Sequence, residues 1–240
     1  MEENIKLLQR WLEESRSAVF FGGAGVSTES GIPDFRSQDG LYNQHYDVPP
    51  EEILSCDFFR RDPDTFYRFY RDKLMVGDAK PNVTHEKLAA LEKAGHLAGI
   101  VTQNIDGLHQ KAGSRQVWEL HGSLFRNHCV SCGKRFSGIG HMNCAGTPRC
   151  GCGGVIRPDI VMYGEMLEDD VVQGAVDAIR NADMLIVGGT SLVVYPAAGL
   201  LRYYRGKRLV LINKSPTSYD SAADLLFTEK LGDVFSKINI

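Results

Sequence analysis

The sequence predicts an α/β protein built on a parallel sheet, and three observations carry that prediction. Short apolar runs alternate with amphipathic segments of helical period along the 240 residues. The first apolar run ends in a glycine-rich turn. Small, polar or acid–base residues follow the later runs, as expected where ligands sit beyond the carboxyl ends of parallel strands. The composition is globular, with 43% apolar and 24% charged residues and a formal charge of 27 − 30 = −3. That excludes a disordered chain. The mild acidity argues against nucleic acid as the main partner, because neutralising phosphates needs a basic face. No apolar run approaches the roughly 20 residues that span a bilayer. The opening MEENIKLLQRWLEESR is charged and lacks the apolar stretch of a secretory signal, so a cytoplasmic protein without a membrane partner is expected.

The elements follow in order. Ile5, Leu8, Trp11 and Leu12 recur at helical spacing and give a first amphipathic helix. The run from Ala18 to Phe21 reads as a buried strand entering Gly22-Gly23-Ala24-Gly25, with a helix start expected just beyond. Residues 34 to about 43 are polar and aperiodic, a mobile loop. Asp62-Pro63 opens the helical run DPDTFYRFYRDKL, and a second helix runs from about 82 to 94, closed by Gly95. Strands are expected at 97–103, 117–120, 155–162, 184–188 and 209–213, with helices at about 168–181 and 232–238. Strands alternating with helices imply βαβ units. Residues 129–152 are rich in glycine and polar side chains and cannot make a hydrophobic core alone.

The candidate chemistry lies at the strand ends. Gly23 and Gly25 let backbone amides approach a pyrophosphate, and a following helix N-terminus would add favourable partial charge. The dinucleotide fingerprint is incomplete, since Thr28 stands where its third glycine would be, and the loop also reads as a plain tight turn. Ser191 and Asn213, after later strands, offer hydroxyl and amide contacts to ribose or adenine. The run Gln103-Asn104-Ile105-Asp106 is a polar turn or a ligand-binding strand end. Four of the six cysteines form two close pairs, Cys129-x-x-Cys132 and Cys150-x-Cys152, whose thiolates suit a tetrahedral, structural Zn²⁺ with no open position. The second pair is one residue shorter than the commoner spacing, Gly153-Gly154 can relax its turn, and Cys144 is a spare ligand.

The residues then reach a recognisable pattern. Gly23-Ala24-Gly25-Val26-Ser27, Gly31-Ile32-Pro33-Asp34-Phe35-Arg36 and Thr102-Gln103-Asn104-Ile105-Asp106-Gly107-Leu108-His109 resemble the sirtuins, NAD-dependent protein-lysine deacylases. So do Glu119-Leu120-His121-Gly122, the cysteine pairs, Arg157-Pro158-Asp159-Ile160-Val161, Gly164-Glu165 and Gly189-Thr190-Ser191-Leu192, in family order over most of the chain. The compact length resembles a prokaryotic member.

The resemblance implies a Rossmann-like parallel sheet with helices on both faces, and a small lobe made of a helical insertion at about 41–77 and a zinc-ribbon insertion at about 125–157. It leaves 1–40, 78–124 and 158–240 as the NAD-binding domain. It implies that the enzyme cleaves nicotinamide from NAD and transfers the acetyl group of acetyl-lysine to ADP-ribose, giving O-acetyl-ADP-ribose, nicotinamide and free lysine. His121 would be the general base on a ribose hydroxyl, although an isolated histidine after a strand is more often structural. Asn104 would position ribose or a water, Asp106 with the Ile105 backbone would hold the carboxamide, and Gln103 would support that end. Ala24, Thr28, Phe35 and Arg36 would form the cofactor loop, with Phe35 shielding the anomeric carbon from water and Arg36 pairing with a phosphate. On the residues alone, Phe35 reads as a core aromatic. Thr190, Ser191, Asn213, Lys214 and Leu231 would meet the adenosine side. Val161, Tyr163, Gly164 and Glu165 would face Val193 and Val194, with acetylated protein or peptide added between them as a strand.

Sirtuins that prefer succinyl- or malonyl-lysine carry Tyr-x-x-Arg in the helical lobe. Here the positions read Tyr70-Arg71-Asp72-Lys73, and lysine cannot give arginine's planar bidentate pairing. A deacetylase is therefore expected first, with other acyl-lysines or protein ADP-ribosyl transfer as alternatives. ADP-ribosyl transfer would label protein from NAD instead of releasing O-acetyl-ADP-ribose.

Overall fold

A computed structural model describes residues 1–35, 40–43, 47–75 and 77–240. Its strands are β1 (Ala18–Gly22), β2 (Leu97–Thr102), β3 (Val117–Glu119), β4 (Gly122–Cys129), β5 (Arg135–Ser137), β6 (Ile156–Ile160), β7 (Leu185–Gly188), β8 (Leu209–Ile212) and β9 (Leu225–Phe227). Its α-helices are α1 (Glu2–Glu14), α2 (Pro50–Ile53), α3 (Cys56–Arg61), α4 (Pro63–Phe69), α5 (Val83–Ala94), α6 (Leu108–Ala112), α7 (Asp169–Asn181) and α8 (Leu231–Phe235).

Six strands form one parallel sheet in the order β3-β2-β1-β7-β8-β9. The chain winds outward from β1 to β3 and returns to the other side of β1 with β7. This reversal opens a crevice beyond the carboxyl ends of β1 and β7. The strand sequences explain the burial. AVFFG, LIVG and LVLI are almost wholly apolar, as strands covered on both faces must be. Phe20, Ile100, Ile186 and Val210 pack with α1, α5 and α8, whereas Val19, Phe21, Val101, Leu185, Val187 and Leu211 pack with α7 and residues 197–203. The alternation is the period of two expected of strands.

The expected helices form where their caps require. α1 buries Ile5, Leu8 and Leu12 against the sheet, each worth about 1.5–3 kcal/mol. In α5, Asn82 caps the first turn and Gly95 closes the last at φ 83°. Asp62 caps α4 through the Thr65 amide.

Two expectations are corrected. The run at 155–162 does not join the parallel sheet. It forms β6, which pairs antiparallel with β4 in a separate sheet of order β5-β4-β6. Apolar alternation marks a strand but does not choose its partner. The run after Gly25 does not enter an α-helix either: it makes two short 3₁₀ turns, Ala24–Val26 and Thr28–Ser30, ended by Gly31 at φ 82°. The loop itself therefore has no α-helix dipole of its own.

The small sheet packs on α2–α4. Phe59, Phe66 and Tyr67 meet edge to face at 5.0 and 5.1 Å, and Leu124, Cys129, Met142, Cys150 and Ile156 complete the same core. The Tyr67 hydroxyl donates to the carbonyl of Ile156. The cysteine-bearing segment thus borrows its core from the helical segment.

Candidate active site

The loops after β1, β2 and β7 are tied into one cradle. Gln103 N donates to Gly22 O (3.0 Å), Gly23 N to Gly188 O (3.3 Å) and Gly25 N to Gly189 O (2.9 Å). A Cβ on Gly25 would lie 2.8 Å from the Gly189 Cα, so the two loops meet backbone to backbone only because both residues are glycine. The Gln103 side chain donates to Thr190 Oγ1 (3.0 Å), which also accepts from Leu192 N (3.2 Å). Thr190 is therefore a buried brace between strand ends, while Ser191 is exposed. Leu192 holds φ 55°, a costly conformation for a branched-chain residue.

Asn104 and Asp106 are both buried and share Ser27. The Ser27 hydroxyl donates to Asp106 Oδ2 (2.7 Å) and accepts from Asn104 Nδ2 (3.1 Å). Asp106 Oδ1 accepts from Leu108 N (2.9 Å), which fixes the carboxylate at the start of α6. The Ile105 carbonyl accepts from Leu124 N, leaving that residue's N–H as the group available to a ligand. Ser27 is a site residue that sequence reasoning missed. The only signal was a small polar residue within the glycine-loop motif, and its bonds reach residues 77 and 79 positions away.

His121 sits between β3 and β4, half-buried. Its Nδ1 lies 2.9 Å from the Gln103 carbonyl oxygen. A carbonyl only accepts, so Nδ1 carries the proton and Nε2 holds the lone pair. Burial pushes the imidazole below its usual range, against the opposing hydrogen bond to Gln103. The next residue, Gly122, has φ 77°, and a Cβ there would lie 2.0 Å from the Asp159 carbonyl oxygen. The sharp turn that follows His121 admits only glycine.

Of the other expected cofactor residues, Ala24 and Phe35 are half-buried and Thr28 is exposed, its hydroxyl donating to Gly25 O (3.0 Å). Phe35 packs on Tyr42 at 5.4 Å beside the small-lobe core, so its ring has a structural contact as well. Arg36 lies outside the described residues. Asn213 follows β8 and donates through Nδ2 to Ser215 O (2.7 Å), while Lys214 is exposed. Leu231 is buried: its side chain lies against Gly188 and Gly189, and the next amide, Gly232 N, donates to Glu29 Oε2 (2.8 Å). Any contact of Leu231 with a ligand is therefore by backbone.

The two expected substrate edges differ. In the first, Val161 N donates to His121 O, Tyr163 N to Leu54 O, and Tyr163 O accepts from Cys56 N. One side of this run is already paired, and among the described residues Gly164 N has no acceptor. The Glu165 carboxylate has partners within the chain: its Oε2 accepts from Arg157 and from Met162 N (2.9 Å). Burial pushes Glu165 up, but these partners outweigh it and hold the carboxyl low. In the second edge Val193 is exposed, and Val194 O accepts from Ala198 N.

The sulfurs of Cys129, Cys132, Cys150 and Cys152 all lie within 4.8 Å of one another, with Cys129–Cys152 at 3.5 Å and Cys132–Cys150 at 3.8 Å. A tetrahedron with Zn–S bonds of about 2.3 Å has S···S edges of about 3.8 Å, so the donor set fits Zn²⁺ and is too wide for disulfides. Amides of Cys132 and Ser131 hold the Cys129 thiol down to about 6, against burial. Each pair turns through a left-handed glycine, Gly133 (φ 71°) and Gly153 (φ 87°). At Gly154 a Cβ would lie 2.7 Å from the Cys129 sulfur, so the backbone passes close to the cluster there only as glycine. Cys144 lies outside the cluster and contacts Gly146 O.

Fold and site together define a class: a doubly wound, dinucleotide-binding α/β protein with a four-cysteine small lobe and an imidazole beside the cradle. The sequence profile of the Sir2 family matches residues 23–196, and the chain belongs to that family. It is 54% identical to an NAD-dependent protein deacetylase of Clostridium perfringens over 99% of both chains. It is 53% identical to one of Clostridium acetobutylicum over 98% of both. Among solved structures it is similar to a Sir2 protein with a deacetylated p53 peptide and 3'-O-acetyl ADP-ribose, at TM-score 0.89 and 38% identity over 97% of this chain and 96% of that one. A complex of Sir2, p53 peptide and NAD⁺ gives TM-score 0.87 and 39% identity over 97% and 96%.

Proposed function

We propose that the chain is an NAD-dependent protein deacetylase, with NAD as co-substrate. It removes the acetyl group from acetyl-lysine in proteins and transfers it to ADP-ribose, releasing nicotinamide and free lysine. The observation that carries this reading is the His121 tautomer: Nδ1–H is committed to Gln103, so Nε2 can take a proton. In this reading the phosphates meet the Ala24 amide and the loop beyond it, since the amides of Gly23 and Gly25 are spent on Gly188 and Gly189. Asn104 and Asp106, locked by Ser27, hold the nicotinamide end, and Gln103 and Thr190 keep the strand ends together. His121 Nε2 then removes a proton from a ribose hydroxyl so that the acyl group can be passed on. The cleft between the parallel sheet and the lobe built from about 41–77 and 125–157 excludes water, which otherwise competes for the reactive carbon.

The protein substrate is read as an added strand between Gly164 and Val193, whose backbone groups have no partner among the described residues. Acetyl is favoured over succinyl because Lys73 is already paired with Asp72 at 3.1 Å. The four cysteines hold a structural Zn²⁺. No described helix is long and apolar enough to cross a membrane, and the cytoplasm is the proposed site of action.

The test is His121→Ala. Turnover of an acetyl-lysine peptide should fall at least about 100-fold, the scale of losing a general base, while NAD still binds. Unchanged kcat in this variant would overturn the reading.

A further inference from the structure

We propose that Asn82 is a positioning residue for NAD, acting through the loop of residues 24–30. This rests on the reading that this loop receives the cofactor. Asn82 precedes α5 and lies far in sequence from every residue assigned above to the site. Its carboxamide is fully used. Oδ1 accepts from Thr84 N (3.0 Å) and His85 N (3.4 Å), capping the helix. Nδ2 donates to Val26 O (2.8 Å) and to Ser30 Oγ (3.0 Å), gripping the loop. The amide orientation is forced, because the flipped form would set two N–H groups against Nδ2 and a carbonyl against Oδ1.

This pattern distinguishes asparagine from the other good caps. Aspartate and serine satisfy the first turn of a helix about as well. Neither offers an amide donor at that distance. If capping alone were required, the second half of the carboxamide would have no task.

The loop needs such a grip. It is two 3₁₀ turns and not an α-helix, with Thr28 and Glu29 exposed. Val26 and Ser30 flank Ser27, the residue that joins Asn104 to Asp106. A donor that holds both flanks therefore fixes the loop and the hydroxyl together. The substrate edges at 161–165 and 191–195 receive no bond from Asn82.

The test compares Asn82→Asp, Asn82→Ser and Gly25→Ala with the unmodified protein. It measures NAD binding by calorimetry, acetyl-peptide binding by fluorescence anisotropy, and the melting temperature. Asn82→Asp keeps the cap acceptor and removes the donor. It should raise the Kd for NAD roughly 10-fold, the scale of leaving a buried acceptor unpaired. Peptide affinity and kcat at saturating NAD should stay near those of the unmodified protein, while the melting temperature falls by only a few degrees because the Val26 carbonyl loses its partner. NAD affinity equal to that of the unmodified protein, or equal weakening of NAD and peptide, would overturn the proposal. If Asn82→Asp fails to fold, Asn82→Ser carries the same comparison, and failure of both makes the residue purely structural, which also overturns it. Gly25→Ala separates the two levels: if it binds NAD normally, the loop reading itself fails, whatever Asn82 does.

Discussion

At residue 121, burial and a single hydrogen bond act in opposite senses on one imidazole, and burial wins. The ring is therefore neutral at neutral pH, and a general base must be neutral to act. As pH falls, activity is lost only when His121 gains a proton. The acid limb of kcat/KM should accordingly fall at a pH below the usual histidine value of about 6.5, and His121→Ala should abolish that limb. A second buried pair bears on stability. The rings of His85 and His109 lie 4.8 Å apart, and neither nitrogen of His109 has a partner among the described residues. Burial pushes His109 down to about 3, with His85 adding to the shift, and His85 down to about 4 against the pull of Asp106. The unfolded chain binds protons below about 6.5 that the folded chain refuses. Stability therefore declines as pH falls from there towards 4, by up to about 1.4 kcal/mol per pH unit for each ring. Urea unfolding of His109→Leu should show a shallower pH dependence by about one such increment; an unchanged slope would contradict this. Of these residues, His121, Asn104 and Asp106 were legible because a strand end and a motif announce them locally. Ser27 and Asn82 were not, because their roles exist only through bonds to segments more than 50 residues away.

Among the elements, the small lobe is the least autonomous. The four thiols lie at the end of β4, in the turn after it and in the segment before β6, but the core beneath them includes Phe59, Phe66, Tyr67 and Tyr70 from the helical insertion. A metal that closes the cysteine cluster therefore orders two segments at once. Chelation should unfold the lobe before the parallel sheet. Hydrogen exchange would then rise first at α3, α4 and β4–β6 while β1, β7 and β8 stay protected. Simultaneous loss of protection throughout would refute this division. The sequence made the cysteine pairs plain through spacing alone. It hid β4, whose polar Arg126-Asn127-His128 blurs the alternation, and it misassigned β6, because pairing is decided by a partner strand that local pattern does not reveal. The 3₁₀ loop after Gly25 was likewise hidden, since Val26, Ser27 and Thr28 fit a helix start, and the close approach to Gly189 that bends the loop is a tertiary fact.

On the scale of the whole molecule, one topological reversal does most of the positioning. The order β3-β2-β1-β7-β8-β9 brings the glycine loop, the Gln103–Asp106 run and Thr190 to one rim, and β4 leaves that rim through His121. The alternation of strands and helices was readable because buried parallel strands are nearly continuous apolar runs. The strand order was not, since it depends on which crossovers pack on which face. In the proposed function that rim is the place where a glycosidic bond is broken and an acyl group is captured. The most direct measurement is the product balance, by mass spectrometry, for the protein incubated with NAD and an acetyl-lysine peptide. Equal amounts of nicotinamide, deacetylated peptide and O-acetyl-ADP-ribose are predicted. Transfer of ADP-ribose to protein without loss of the acetyl group, or release of free acetate with NAD untouched, would contradict it.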